Sequence, residues 1–325
     1  MSSGKIKQQR YKADGSKEGE ERETGSAASD FRSPTITGLA DGGWLISYLA
    51  SVSGRTFVYQ MRYNADGISY DLSTGIVQVV TADIDPPSVT ALPEPDGGWV
   101  VVWEDSNVIW QKVYKADGTT RHEGPAAAWY DGQDPENPNV TTLSDGGWIM
   151  TWQLKLADGS FDIYQQAYNA NATKRGTQTV VNTTLSGDQL DANVTPLSDG
   201  GWIVTWGSKD ASGNASILQQ AFNADGSKRG DEILVNTSSH ANQGTPEVTA
   251  LAGGGWIVTW VSYSDASSDR IIFHQAFNAD GSKAGPERNR LTRRDLGGHM
   301  DASRRHHATA IPPQQRSHGC PHRWR

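Results

Sequence analysis

The chain has 325 residues, a formal net charge of −8 and a mean hydropathy of −0.58. The acidic balance argues against a nucleic-acid partner, whose phosphates attract Lys and Arg. The only cysteine, Cys320, excludes an internal disulfide. No run of residues approaches the ~20 apolar positions that a membrane span needs. The opening M-S-S-G-K-I-K-Q-Q-R also lacks the apolar core of a signal peptide.

Taken in order, the chain opens part-way through a pattern. Lys5–Tyr11 reads as a strand, Lys12–Gly15 as its turn and Glu18–Glu23 as a polar second strand. Then D-G-G-W or its relatives return with Trp44, Trp99, Trp148, Trp202 and Trp256 at the anchor position. A second motif, an aromatic followed by N-A-D-G or a variant, recurs at Tyr11, Tyr63, Tyr114, Tyr168, Phe222 and Phe277. Two independent motifs sharing one period mean tandem repeats. Repeat one covers about 35–80, repeat two 88–130, repeat three 139–182 and repeat four 193–236; repeat five starts at Glu247.

Repeat four shows the unit most clearly. N-V-T-P-L at Asn193–Leu197 is a strand and Ser198–Gly201 a turn. W-I-V-T-W at Trp202–Trp206 is a second strand. Trp202, Val204 and Trp206 share one face, and Ile203 and Thr205 the other, because strand side chains alternate. Both faces are apolar or β-branched, as in a strand buried on both sides. A polar loop is expected over Gly207–Asn214, a third strand over Ser216–Phe222, a D-G hairpin at Asn223–Gly226 and a fourth strand over Glu232–Asn236. Four short antiparallel strands per unit of this length point to an all-β, propeller-like array of five repeats plus an N-terminal half repeat. A linear β-array or sandwich is the second choice.

The expected domains are the repeat region, 1–285, and an irregular basic tail, 286–325. Residues 287–325 carry nine Arg against three acids, so the repeats are more acidic than the whole chain. The tail reads as a disordered segment or as a frame-shifted repeat. Read one nucleotide forward, the Met300–Asp301 codons must give Trp, and degenerate codons at Leu296–His299 permit W-V-V-T before it. The gene's nucleotide sequence checks this: stop codons in the shifted frame would exclude it. On that reading the chain is a truncated piece of a longer array, whose remaining repeats are its partners.

Candidate chemistry is sparse. The N-A-D-G turns offer two oxygen-bearing side chains, fewer than a calcium site needs. Their first reading is a hairpin turn, and calcium is the one cofactor left open. The zinc spacing of paired ligands is absent from the tail. Gln9, Gln60, Gln111, Gln166, Gln220 and Gln275 recur in the third strands. They are expected to form one ring of equivalent positions, bonded between blades or lining a ligand surface. The strand Trp residues are expected in the core. Trp129 and Tyr263 stand out as exposed aromatics able to stack on a sugar. His122, His240 and His274 occupy non-equivalent places, and no nucleophile–base motif is present. No residue is assigned a catalytic or metal-binding role, and ligand-binding residues are undefined.

V-T-x-L-x-D-G-G-W-I-V-T-W followed by I-x-x-Q-x-F-N-A-D-G-S-K-x-G and V-N-T resembles tandem repeats of about 50 residues in large secreted bacterial proteins grouped with haemolysin-type, RTX-like calcium-binding proteins and adhesins. That resemblance covers about residues 5–285. It implies an extracellular protein exported without an N-terminal signal peptide, a non-enzymatic scaffold meeting a glycan or a cell-surface protein, with no membrane insertion. A propeller lectin is the alternative, and a propeller glycoside hydrolase or lyase the third. A cluster of carboxylates at the central channel, unique rather than repeated, would favour the third.

Overall fold

The structure is a computed structural model describing residues 6–24, 30–52, 55–70, 77–79, 87–95, 97–128, 134–210, 212–237, 242–263 and 270–290. These residues are all strand, turn and irregular segments, without a helix. They form one compact unit, Met1–Arg290. Residues 291–325, Trp129 and His240 lie outside the described residues.

The fold is a β-propeller. Two strands, Ile6–Tyr11 and Lys17–Thr24, make a half-blade. Five antiparallel blades follow in chain order, each with its strands side by side in sequence order. In blade four the strands are Gln189–Pro196, Trp202–Lys209, Ala215–Phe222 and Lys228–Leu234. In blade one the third strand pairs with both Ser69–Tyr70 and Val77–Val79.

Why D-G-G-W, or G-G-G-W in blade five, precedes the second strands is clear in blade four. Asp199 Oδ1 accepts from the Gly201 backbone N–H at 3.0 Å, which closes the turn. Gly200 sits at φ +87°, where a side chain is strained. A Cβ on Gly201 would run into the Phe222 carbonyl oxygen on the neighbouring strand. Asp199 Oδ2 also pairs with Arg229 at 2.7 Å, tying the turn to the fourth strand. Aspartate and both glycines therefore serve the turn.

Each anchor Trp then does two things. Its ring stacks on the aromatic of the third strand in its own blade: Trp202 on Phe222 at 5.7 Å and Trp148 on Tyr168 at 5.4 Å. Its indole N–H reaches back to a glutamine of the preceding blade. Trp99 bonds Gln60, Trp148 bonds Gln111, Trp202 bonds Gln165 and Trp256 bonds Gln219, at 2.9–3.2 Å. Trp44 bonds Gln8 of the half-blade at 3.1 Å in the same way. The half-blade therefore holds a true blade position in front of blade one. Trp99, Trp148, Trp152, Trp202, Trp206, Trp256 and Trp260 are fully buried, the core placement expected for them.

Three expectations are corrected. The recurrent glutamines are not one ring. Gln9, Gln166, Gln220 and Gln275 lie two residues before the third-strand aromatic and bond carbonyls of their own sheet; Gln166 reaches Ala167 O at 2.8 Å and Gly176 O at 3.3 Å. The Trp-binding set is Gln8, Gln60, Gln111, Gln165 and Gln219, one residue earlier. The own-sheet contacts fall at register shifts, between Gln165 and Ala167 and between Gln219 and Ala221, where the fourth strand carries two extra residues. Second, the expected loop Gly207–Asn214 is shorter: Gly207–Lys209 continues the second strand, and the turn is closed between Asp210 and Asn214. Third, every described first strand except that of blade two starts four or five residues before the expected repeat boundary: Asp30–Gly38, Asp134–Thr142, Gln189–Pro196 and Asn242–Ala250. These starts are polar and bulged, which hides their alternation.

Candidate functional site at the polar end of the ring

The first strand of every complete blade lines the axis. One turn from each of the five blades contributes to a single 650 Å³ cavity, whose lining includes Leu39, Leu92, Leu143, Leu197 and Leu251. These leucines come from the V-T-x-L motif, I-T-G-L in blade one, and directly follow the first strands. The lining of this end holds no charged side chain among the described residues. It offers the hydroxyls of Thr142, Ser144 and Ser198 but no carboxylate, imidazole or ammonium.

The opposite end, where the first strands begin, has another character. Each of four first strands carries a β-bulge there, and its bulged residue adopts a left-handed backbone: Ser33 at φ +52°, Asn137 at +53°, Asp191 at +56° and Thr245 at +50°. Such a conformation costs a non-glycine residue roughly 1–3 kcal/mol. Asn and Asp tolerate it best, and a β-branched Thr poorly. A bulge bends its strand and re-aims side chains, and bulges concentrate beside active sites.

At this end the repeat breaks its own rules. Behind the second aromatic of each second strand stand Leu49, Glu104, Gln153, Gly207 and Val261 in blades one to five. One residue before the bulge stand Arg32, Glu136, Leu190 and Gly244 in blades one, three, four and five. Three carboxylates from three consecutive blades thus appear only once each: Glu104, Glu136 and Asp191. Hydrogen bonds join them. Asn137 donates its backbone N–H to Glu104 Oε2 at 3.1 Å and its side-chain Nδ2 to Asp191 Oδ1 at 3.4 Å. Gln153 donates Nε2 to Glu136 Oε2 at 3.2 Å, while its Oε1 accepts from the Asp191 backbone N–H at 3.2 Å. Asn137, through its backbone and side-chain N–H groups, and Gln153, through its side chain, therefore hold three carboxylates in one patch. Glu104 and Glu136 are half-buried and Asp191 is exposed.

Beside this patch lies a 380 Å³ cavity between blades four and five. Asp191 lines it together with Lys209, Asn242, Gln243, Thr245 and Tyr263. Tyr263, singled out from sequence as an exposed aromatic, is half-buried here, with the Arg270 guanidinium 5.4 Å from its ring centroid. Gln243 is buried and holds the Trp260 indole at 2.8 Å, which fixes that wall. Arrayed around one space are a carboxylate, an ammonium, amides, a hydroxyl and an aromatic. Polar groups of this mix beside an aromatic face suit a polyhydroxylated ligand.

Sequence reasoning missed Glu104, Glu136, Asn137, Gln153 and Asp191. The signal that finds them is departure from the repeat at equivalent positions of one strand end. Among the described residues no group of three or more His, Cys, Asp or Glu is arranged to hold a metal ion. The turn aspartates use an oxygen locally instead: Asp225 Oδ1 accepts from Ser227 N at 2.9 Å and Ser227 Oγ at 2.6 Å.

No protein-family model and no curated protein matches the chain. Solved structures do. A protein of unknown function from Dyadobacter fermentans is 11% identical with a TM-score of 0.50, over 80% of each chain. An α-L-arabinanase of Penicillium chrysogenum, complexed with arabinobiose, is 14% identical with a TM-score of 0.48, over 66% of this chain and 68% of that one. An endo-arabinase of Bacteroides thetaiotaomicron is 15% identical with a TM-score of 0.41, over 74% and 92%. The expectation of a non-enzymatic, adhesin-type scaffold is corrected at this point. The similar structures include sugar-polymer hydrolases, and a purely structural repeat has no need of singular, hydrogen-bonded carboxylates at one end of its axis. At identities this low the likeness is one of fold: the chain folds as a β-propeller.

Proposed function

We propose that the protein acts on glycans at the polar end of its ring, hydrolysing a glycosidic bond with Asp191 and Glu136 as the paired carboxylates. The observation that supports this is the hydrogen-bonded trio Glu104, Glu136 and Asp191, which breaks the repeat in three consecutive blades. Glycoside hydrolysis needs two carboxyl groups flanking the scissile bond, one to protonate the leaving oxygen and one to activate water or attack the sugar. Asp191 belongs both to the patch and to the adjoining cavity, so it meets whatever occupies that cavity. Gln153 holds Glu136 and the Asp191 backbone from one side chain, which fixes their relation. Tyr263, Asn242 and Thr245 then serve as sugar contacts.

The test is release of reducing ends from arabinan, xylan and a wider polysaccharide panel by the purified chain. Asp191→Asn keeps a residue that tolerates the left-handed backbone, and Glu136→Gln keeps the shape. Each is expected to lower turnover by about 100-fold or more, the usual loss of a general acid or base, with glycan binding retained. Saturable glycan binding without turnover by the unmodified chain would point to a lectin. Turnover unchanged in both variants would place the chemistry elsewhere.

A further inference from the structure

Among the described residues the ring is uncovered on one side, and the uncovered surfaces share a pattern. One third-strand position, five residues before the aromatic, is filled by Ile6, Val58, Ile109, Ile163, Ile217 and Ile272. The first five are 0 to 7% exposed, whereas Ile272 in blade five is 56% exposed. Second strands show the same break. Nearly every residue of Trp148–Lys155 and Trp202–Lys209 is buried, whereas in Trp256–Tyr263 buried and half-buried residues alternate. The half-buried set, Ile257, Thr259 and Val261, lies on the face where Ile203 and Thr205 of blade four are fully buried. His274 stands where Gln60, Gln111, Gln165 and Gln219 take an indole N–H from the following blade.

The half-blade lacks the complementary part. Tyr63, Tyr114, Tyr168, Phe222 and Phe277 are each buried under the Trp of their own blade, while Tyr11 is 59% exposed. Among the described residues the half-blade sheet has only two strands, equivalent to the third and fourth of a blade. It packs on blade one through Ile6, Ile46, Tyr48 and Tyr63. One element, absent among the described residues, would answer both surfaces at once: the first and second strands of a blade. Its Trp would stack on Tyr11 and donate to His274, whose neutral imidazole has an acceptor nitrogen. Its second strand would pair with Ile6–Tyr11, and its apolar face would cover Ile257, Val261 and Ile272.

We infer that the face of blade five and the edge of the half-blade together form a docking slot for a β-hairpin of the form L-x-D-G-G-W-x-V-x-W. Strand addition supplies backbone hydrogen bonds, and the pockets for alternate side chains supply selectivity. The W-V-V-T-W permitted by a one-nucleotide shift at residues 296–300 has this form. The slot is independent of the carboxylate patch and stands or falls without it.

The probe is a labelled synthetic peptide copying residues 191–209, the inner hairpin of blade four, titrated into the full chain. Saturable binding at micromolar peptide is expected, weakened at least tenfold by Ile272→Asp or Tyr11→Ala in the chain and by Trp202→Ala in the peptide. Ile272 and Tyr11 are exposed in the free chain, so both variants are expected to keep its circular dichroism and Tm. Hydrogen exchange would show the peptide protecting Ile6–Tyr11 and Arg270–Phe277 together. No saturation by ~1 mM peptide, or binding indifferent to all three substitutions, overturns the inference. Sedimentation that finds a dimer dispersed by Ile272→Asp would assign the face to a second copy and overturn it as well.

Discussion

A tryptophan in this fold bonds to one blade and stacks within another, and that double duty makes the Trp–Gln pair the joint between blades. Trp202 is buried, stacks on Phe222 and donates to Gln165 Oε1 at 2.9 Å. Replacing it by Phe removes ring area and leaves a buried amide oxygen without its indole donor. The two losses together are expected to cost about 2–4 kcal/mol. Gln165→Leu alone strands the indole N–H and is expected to cost about 1–3 kcal/mol. The double variant should cost clearly less than the sum, because removing both partners leaves no orphan. Denaturant melts of the four proteins measure this, and additivity within about 0.5 kcal/mol would mean the bond is not the joint. The glutamines were visible in the sequence, but their two classes were not. An irregularity shifts the register by two residues between Gln165 and Ala167, and no periodicity argument sees it.

The hairpin turns are the element that an acid titration reads. In five of them an aspartate oxygen accepts both the N–H and the hydroxyl of the residue two positions on: Asp14, Asp117, Asp158, Asp225 and Asp280. The hydroxyl bond and then the backbone bond hold each carboxyl below its ordinary range. At Asp199 the Arg229 hydrogen bond does the same. A folded pKa below the unfolded one contributes stability above the unfolded value, about 3.9 for Asp. That contribution is lost as pH falls through the folded value. The Tm should therefore stay level from pH 7 to 5 and decline below about pH 4. Asn171 already makes the same turn with an amide, accepting from Thr173 at 2.6 and 3.1 Å. Asp225→Asn with Asp280→Asn should hence keep the turns, lower the neutral-pH Tm slightly and flatten the acid decline. An unchanged acid decline would assign it to other carboxylates. These turns, the D-G-G-W glycines and the second strands were all legible, because they depend on local chemistry and on alternation. The beginnings of the first strands were not. D-P-E-N-P before Asn139 and Q-L-D-A before Asn193 are polar and bulged, with φ above +50° at Asn137 and Asp191. They look like loop until the axis they line is known, and the carboxylate patch was hidden with them.

For the molecule as a whole, the open side sets the order in which it loosens. Each blade is covered by its neighbours, so local stability depends on how many faces a blade has buried, as in any nearest-neighbour array. Blades three and four are buried on both faces of their second strands, and their clusters around Trp148, Trp152, Trp202 and Trp206 run into adjacent blades. Blade five presents a half-buried face, and among the described residues its last strand is Arg288–Arg290. The half-blade carries a single edge sheet. Sub-global opening free energies fall where buried apolar contact is thin. Native-state hydrogen exchange should therefore be slowest in Trp148–Lys155 and Trp202–Lys209, faster in Arg270–Phe277 and fastest in Ile6–Tyr11. The carboxylate patch spans blades two, three and four, the best-covered arc, so its geometry should persist while the open side frays. Activity in mild denaturant would then outlast protection in Ile6–Tyr11, whereas loosening of blade five, which carries Asn242, Thr245 and Tyr263, would weaken glycan binding. Uniform protection through all five blades, lost in one transition together with activity, would show a single cooperative unit and remove the distinction between a stable working arc and a loose flank.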